Sequence, residues 1–416
     1  MAENEQVTMI TSFDDSPEYR QFAARQEEMM EAVHGDNPYF IRHDSPLTDV
    51  SLMEGKKVIN FGSYNYVGMS GRKEVSEAAK AAIDKYGTSA SGSRLIAGEK
   101  SLYMELEREI AAWKHAEDCL VLVSGHATNV TFVGNFCGKD DLILYDSLAH
   151  NSVWEGCRIS PAVCRPFPHN DPEKLDEILS RRRSKFAKVL IVIEGAYSMD
   201  GDIAKVPEIV AIKKKYGCFL MVDEAHSSCV LGENGGGVDE YFNLAPDDID
   251  IKMGTLSKGL GACGGYLAGK RSIIEYMRYM LPGFVFSVGI SPALAAAALE
   301  SIRLLKADKS IMKRLHDNIR AFDEEAEKRG LNICLAGKTA VFPVLVKYDD
   351  AAYLLSSTMR HRGVFVPPAV FPAVPHEQAR LRYCVTSEHN REEIVQALDL
   401  LVNTAKEFGI TLPGRS

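Results

Sequence analysis

Five short apolar runs limit what this chain can fold into: Cys119–Val123, Leu142–Tyr145, Val189–Ile193, Phe219–Val222 and Ile249–Met253. Each is of strand length, and segments of helix length separate them. A continuous apolar run, unlike an alternating one, marks a strand buried on both faces. Such strands spaced by helices predict an α/β fold with a mainly parallel central sheet and helices on both faces. The runs end in polar or glycine residues: Ser124-Gly125-His126, Asp146, Glu194-Gly195, Asp223-Glu224-Ala225-His226 and Thr255-Leu256-Ser257-Lys258. Open sheets of this kind bind ligands beyond the carboxyl ends of their strands, so these tails are the candidate site.

The rest of the chain frames that core. Residues 17–34 read as a polar helix, and a short β-rich stretch follows near Lys57–Phe61, giving an arm over 1–60. The large body is expected over 61–295. A long Ala-rich helix is expected at 292–329. A second pattern follows, with strands near Thr339–Val346, Gly363–Val366 and Arg380–Thr386 and helices near 350–361 and 390–407. It predicts a smaller α+β C-terminal domain over 296–416.

Composition narrows the partners. With 48 basic against 57 acidic residues and a net charge of −9, a general nucleic-acid or anionic-membrane surface is not expected. The nine cysteines are scattered and none forms Cys-x-x-Cys, so neither a disulfide framework nor a metal site is expected. The acidic opening Met1–Glu5 has no signal-like apolar stretch, and no window reaches about 18 uninterrupted apolar residues. A reducing, cytoplasmic setting without stable membrane insertion is the expectation.

Gly259-Leu260-Gly261-Ala262-Cys263-Gly264 matches a dinucleotide fingerprint, but Gly265-Tyr266-Leu267-Ala268 then continues as a strand where that fingerprint opens a helix. Asp223-x-x-His226 and Thr255-Leu256-Ser257-Lys258-Gly259 are more telling. A lysine there is usually a solvated loop residue. Flanking hydroxyls and glycines nevertheless suit a phosphate cradle, beside which an amine can form a Schiff base with a carbonyl cofactor. Pyridoxal phosphate needs such a lysine, an acid beside its pyridine nitrogen and donors for its phosphate. Asp223 supplies the acid, and His226 reaches either the ring hydroxyl or the aspartate. Ser124–Asn129 reads as a helix N-terminus facing an anion or as an ordinary strand-to-helix turn. His150, just past another strand end, either stacks on a flat ring or is structural.

Together these residues resemble the α-oxoamine synthase family of fold-type-I pyridoxal-phosphate enzymes. The resemblance runs from about Asn60 to the C-terminal helix. Its landmarks stand in family order: Asn65–Gly68, Gly87–Arg94, Ser124–His126, Asp146–His150, Glu194–Gly201, Val222–His226, Thr255–Gly259 and Arg380–Arg382. It implies that Lys258 holds the cofactor covalently, Asp223 pairs with the ring nitrogen, His226 contacts the ring oxygen and His150 stacks on the ring. It further implies phosphate contacts from Gly125, His126, Thr255 and Ser257, with Glu194 and Ser198 lining the pocket. Arg382 and Asn65 would bind the amino-acid carboxylate. The loop Thr88–Arg94, with Ser93 and Arg94, would lie near substrate at a neighbouring subunit's site, in a homodimer with a shared active site. Val288 departs from a family pattern in which a threonine reaches the phosphate across the dimer, since valine cannot donate.

The implied activity is condensation of a small amino acid (glycine, alanine or serine) with an acyl thioester of CoA or an acyl-carrier protein, releasing carbon dioxide and giving an α-amino ketone. Other readings are an aminotransferase or carbon–carbon lyase using the same lysine and aspartate, or a non-catalytic partner subunit. Small residues in Thr88–Ser93 leave room for a small substrate, or form a flexible turn. Met280–Val288 and Val364–Val374 suit an acyl path or core and loop packing, with packing favoured. The Ser93–Gly98 stretch and the arm look closer to serine palmitoyltransferase-like and polyketide-associated members than to the aminolevulinate branch, which implies a medium or long acyl chain.

Overall fold

A computed structural model describes residues 9–415; the acidic opening Met1–Glu5 lies outside the described residues. The helix α1 (Pro17–Ala32) starts the arm, capped by the Ser16 side chain, which accepts from the Tyr19 N–H. The hairpin β1 (Val50–Met53) and β2 (Lys56–Asn60) follows. Helices α2 (Lys73–Tyr86) and α3 (Ser101–Trp113) lead into the large sheet. That sheet contains β3 (Asp118–Leu122), β4 (Leu142–Asp146), β5 (Val163–Phe167), β6 (Val189–Glu194), β7 (Phe219–Asp223), β8 (Ile251–Thr255) and β9 (Gly265–Gly269). Its spatial order is β3-β9-β8-β7-β6-β4-β5, and only β9 runs against its neighbours.

The apolar runs are continuous because both faces of the sheet are covered. In β6, Val189, Ile191 and Ile193 enter one core cluster while Leu190 and Val192 enter the other. Each such side chain contributes roughly 1.5–3 kcal/mol by burial, which fixes strand register against a one-residue slip. Parallel register then brings the ends of β4, β6, β7 and β8 to one edge. The turn Gly259–Gly264 only joins β8 to the reversed β9. At Gly261, with φ +60°, a Cβ would lie 2.7 Å from the Ser70 nitrogen.

In the C-terminal part, β10 (Val341–Lys347), β12 (Pro368–Ala369) and β13 (Ala379–Cys384) form an antiparallel sheet in the order β10-β13-β12. The two-residue strand β11 (Val364–Phe365) leaves that sheet and pairs in parallel with β2, so the arm and the C-terminal part share a sheet. The expected boundary at 295/296 falls inside the helix Pro292–Ala307, which packs on α2 and α3 of the large body. The helical segment expected at 292–329 consists of two helices, Pro292–Ala307 and Ser310–Lys328. The break is local competition: Asp308 takes an extended conformation and its carboxylate accepts the Ser310 N–H at 2.9 Å.

Candidate active site

Lys258, Asp223, His226, His150, Glu194, Gly125, His126, Thr255 and Ser257 all line one pocket of about 270 Å³ at the carboxyl edge of the sheet. Asp223 ends β7, and its carboxylate accepts from the Ala225 N–H at 2.9 Å and from Asn129 Nδ2 at 2.7 Å. Asn129 also donates to Ser152 Oγ at 2.9 Å, and Ser152 Oγ lies 2.7 Å from His150 Nδ1. A relay through the buried Asn129 and Ser152 thus ties the acid to the exposed imidazole that caps the helix α5 (Asn151–Ile159). Desolvation pushes His150 down and keeps it neutral.

On the other side, Lys258 Nζ lies 2.8 Å from His226 Nε2, and the fully buried Tyr66 hydroxyl lies 2.7 Å from His226 Nδ1. Burial, reinforced by the Lys258 and Arg382 cations, holds His226 well below its ordinary value, so the ring is neutral. Tyr66 can donate or accept, which lets the ring carry its proton on either nitrogen. Burial pushes the Lys258 amine down to about 8, against the pull of Asp223 and Glu194. Glu194 is raised well above the carboxylate range by burial and then by Asp223, and its Oε1 is buried without a partner among the described residues.

The pocket fits pyridoxal phosphate. It offers an amine for the aldehyde, an anchored carboxylate for a protonated ring nitrogen, an unpartnered buried acid and an anion cradle. The helix α4 (Gly125–Phe136) opens at the cradle with Ser124 as its cap, and its first amides have no acceptor within the helix. A Cβ on Gly125 would lie 2.9 Å from Thr255 Oγ1, so a bare backbone is what allows this closeness. Thr255 donates its hydroxyl to the Gly264 carbonyl at 3.0 Å, whereas Ser257 Oγ reaches that carbonyl only at 3.5 Å and is the freer donor.

The other expected residues stand elsewhere. Arg382 is buried beside Tyr64, its guanidinium carbon 5.0 Å from the ring centroid, and its Nε donates to the Ser198 carbonyl at 2.7 Å. Ser198 therefore meets the site through its backbone and does not line the cofactor pocket. Asn65 spends its amide on the fold, donating to the Leu47 carbonyl at 3.0 Å and accepting from the Ser70 N–H at 3.1 Å. Ser93 donates to the Val285 carbonyl at 2.6 Å. Within this chain the buried Arg94 guanidinium is forked between Glu99 and Glu107. Sequence reasoning missed Asn129, Ser152, Tyr64 and Tyr66. Asn129, an amide one helical turn after Gly125, and Tyr66, inside the landmark Asn65–Gly68, stood in quoted segments without being given a role.

A second cavity of about 590 Å³ opens beside Tyr64 and Arg382. Its walls are Phe22 and Met29 of α1, Tyr39, Tyr353 and residues 367–373. Residues 367–373 thus face a cavity, where packing was expected. Since Tyr64 also lies edge-on to His226 at 5.9 Å and 5.6 Å from the Lys258 amine, one tyrosine separates the two spaces.

Residues 56–401 match the family described as aminotransferase class I and II. The 8-amino-7-oxononanoate synthase of Thermoanaerobacter pseudethanolicus is 38% identical over 369 residues, covering 88% of this chain and 92% of that protein. The 8-amino-7-oxononanoate synthase 1 of Bacillus subtilis is 38% identical over 353 residues, 85% of this chain and 89% of that one. Among solved structures, the serine palmitoyltransferase of Sphingomonas wittichii superposes with a TM-score of 0.90 at 30% identity, covering 95% of this chain and 99% of that one. A serine palmitoyltransferase solved with its pyridoxal phosphate gives 0.89 at 30% identity, covering 94% and 98%. The sheet edge assembles an amine, an anchored acid and an anion cradle, and the likeness to these enzymes runs over nearly the whole chain: the protein belongs to the α-oxoamine synthase family of pyridoxal-phosphate-dependent acyltransferases.

Proposed function

We propose that the protein condenses a small amino acid with an acyl thioester and releases carbon dioxide and free thiol, leaving an α-amino ketone. The observation that carries this reading is the pair of adjoining spaces: a polar pocket around Lys258 and an apolar cavity that begins at Arg382 and Tyr64. An aminotransferase or lyase acting on a small amino acid has no use for the second.

Bound pyridoxal phosphate supplies an electron sink for the α-carbon. The chain supplies the remainder. Arg382 offers a planar fork to the amino-acid carboxylate. Lys258, with its amine lowered to about 8, is suited to take the α-proton near neutral pH. Neutral His226, whose Nε2 faces the pocket, donates to the incoming thioester carbonyl as negative charge develops on its oxygen. The α-carbon joins the acyl carbon, the thiolate leaves and takes a proton from solvent, the resulting β-keto acid loses its carboxylate as carbon dioxide, and Lys258 returns the proton it took to the α-carbon. With pyridoxal phosphate bound, Asp223 would keep the ring nitrogen protonated, His150 would cover a ring face, and Gly125, His126 and Ser257 would hold the phosphate. The 367–373 wall and α1 receive the acyl chain away from water.

The working unit is a homodimer in the cytoplasm. In support, Leu95, Ile96, Phe286 and Val288 are exposed together, the turns that carry them being tied by Ser93 to the Val285 carbonyl and by Gly289 to the Gly92 carbonyl. All nine cysteines are free thiols, and no helix among the described residues is long and apolar enough to cross a membrane. The test is to incubate holoenzyme with glycine, alanine or serine and a panel of acyl thioesters, following free thiol and product mass. Stoichiometric thiol and an α-amino ketone are expected; keto-acid formation without thiol release overturns the reading.

A further inference from the structure

The turn after β6 touches two parts of the molecule at once. Residues 197–203 fold back on themselves: Ala196 bridges Ile203, the Tyr197 N–H donates to the Asp202 carbonyl at 3.0 Å, and the Gly201 N–H donates to the Tyr197 carbonyl at 3.0 Å. At the tip, this turn grips two arginines of β13. The Ser198 carbonyl accepts from Arg382 Nε at 2.7 Å, while the Met199 carbonyl and Asp200 Oδ1 accept from Arg380 at 2.8 and 3.0 Å.

At its base, the turn is held to the end of β4 by a cluster that the reaction does not use. Asp146 accepts from the Tyr197 hydroxyl at 2.8 Å and lies 2.9 Å from His169 Nδ1. His169 Nε2 lies 3.2 Å from Asp202 Oδ2. Asn170 Nδ2 donates to the same Asp202 oxygen at 2.9 Å and to the Ile203 carbonyl at 3.1 Å. His169 packs edge-on to Tyr197 at 4.4 Å and does not line the cofactor pocket. Although burial opposes its charge, the two flanking carboxylates raise His169 to about 10 and hold it as an imidazolium near neutral pH.

We propose that His169 is a positioning residue for carboxylate recognition: by bridging Asp146 to Asp202 it sets the 197–203 turn against β13, so that the Ser198 carbonyl aims the Arg382 guanidinium. Arg382 spends its Nε on Ser198 and its Nη1 on Cys384 Sγ at 3.3 Å. Held on opposite sides through Nε and Nη1, the guanidinium keeps a single orientation and leaves its Nη1/Nη2 end to face a carboxylate, the condition for a bidentate bond. The turn belongs to the large body and the arginine to the C-terminal sheet, so their mutual register rests on bonds of this kind. This inference rests on the reading of Arg382 as the carboxylate fork.

The test is a spectral titration of holoenzyme with L-alanine and with L-alanine methyl ester, for the native protein and for His169→Gln, Asp202→Asn and Arg382→Gln. The native protein is expected to prefer the free acid. His169→Gln should weaken alanine binding roughly tenfold, less than the ~10²-fold that a 1 Å misplacement of reacting groups costs, and leave the ester nearly unchanged. Equal weakening of both ligands overturns the proposal, because a general loss of structure would affect acid and ester alike. If His169→Gln does not fold, Asp202→Asn is near-isosteric and is read the same way. If Arg382→Gln abolishes the acid preference while both turn variants keep it, this proposal fails alone. If Arg382→Gln keeps the preference, the carboxylate-fork reading fails and takes this one with it.

Discussion

The two spaces that meet at Tyr64 are built on opposite principles. The inner pocket is assembled from strand ends, and its key side chains are tied in pairs: Asp223 to Asn129, His150 to Ser152, His226 to Tyr66 and Lys258. The outer cavity takes its walls from distant parts of the chain, among them α1, Tyr39, Tyr353 and residues 367–373, and meets its contents mainly with apolar surface. A site that must hold reacting atoms within fractions of an ångström is mounted on the rigid sheet, whereas one that accommodates a chain by burial needs only volume and apolar lining. On the function proposed above, the inner pocket fixes which reaction occurs, and the outer one which acyl group takes part.

Substitutions in the two regions should separate along that line. The largest effect is expected for Lys258→Ala, which removes the covalent anchor and the base together. Turnover should fall by more than the ~10²–10⁴-fold that a base alone contributes, for every acyl thioester tried, and the visible absorbance of lysine-bound cofactor should vanish. Asp223→Asn should lower kcat by about 10²–10³-fold, as loss of one preorganised polar group does, with cofactor content measured by absorbance largely kept. Next comes pH. Only the neutral amine attacks an aldehyde, so the rate at which cofactor-free protein captures pyridoxal phosphate should climb about tenfold per pH unit below the Lys258 value and flatten above about 8, as read by stopped-flow absorbance. The smallest effect belongs to the outer cavity. Met29→Phe adds bulk to its wall and should shift preference toward shorter acyl thioesters by roughly tenfold, the scale of one methylene in an apolar pocket, while the KM for the amino acid stays put. If Met29→Phe changes the spectrum of bound cofactor instead, the division between the two spaces is wrong.

What the sequence made readable follows the same division. Strands buried on both faces are continuous apolar runs, and their ends carried Asp223, Glu194, Thr255 and Lys258, so neighbours in sequence pointed to neighbours in space. The outer cavity needs residues near 22, 39, 64, 353, 370 and 382 in contact, a conjunction that no local pattern encodes. Tyr66 was hidden for a related reason: it reaches His226 from 160 positions away. Arg94 shows the opposite case. Its place in a recognisable segment suggested a role at substrate, whereas the two glutamates that pair with it lie five and thirteen residues on, the first in a loop and the second on α3, where they read as ordinary surface charge. The break at Asp308 went unseen because neither glycine nor proline marks it; an aspartate side chain competing for a backbone amide does the same work.

The reversed strand β9 has a consequence for the lysine. Thr255 pairs directly with Gly265, Leu256 donates to the Gly264 carbonyl, Ala262 donates to Leu256, and Gly261 donates to the Lys258 carbonyl. Lys258 is thus carried on a hairpin stitched at both margins into the sheet. On the role proposed for it, this lysine would hold the cofactor and take the α-proton on a backbone that is hydrogen-bonded on both sides. Movement between those tasks is delegated to four methylenes, and the amine moves as a tethered swing arm whose pivot the fold has bolted down.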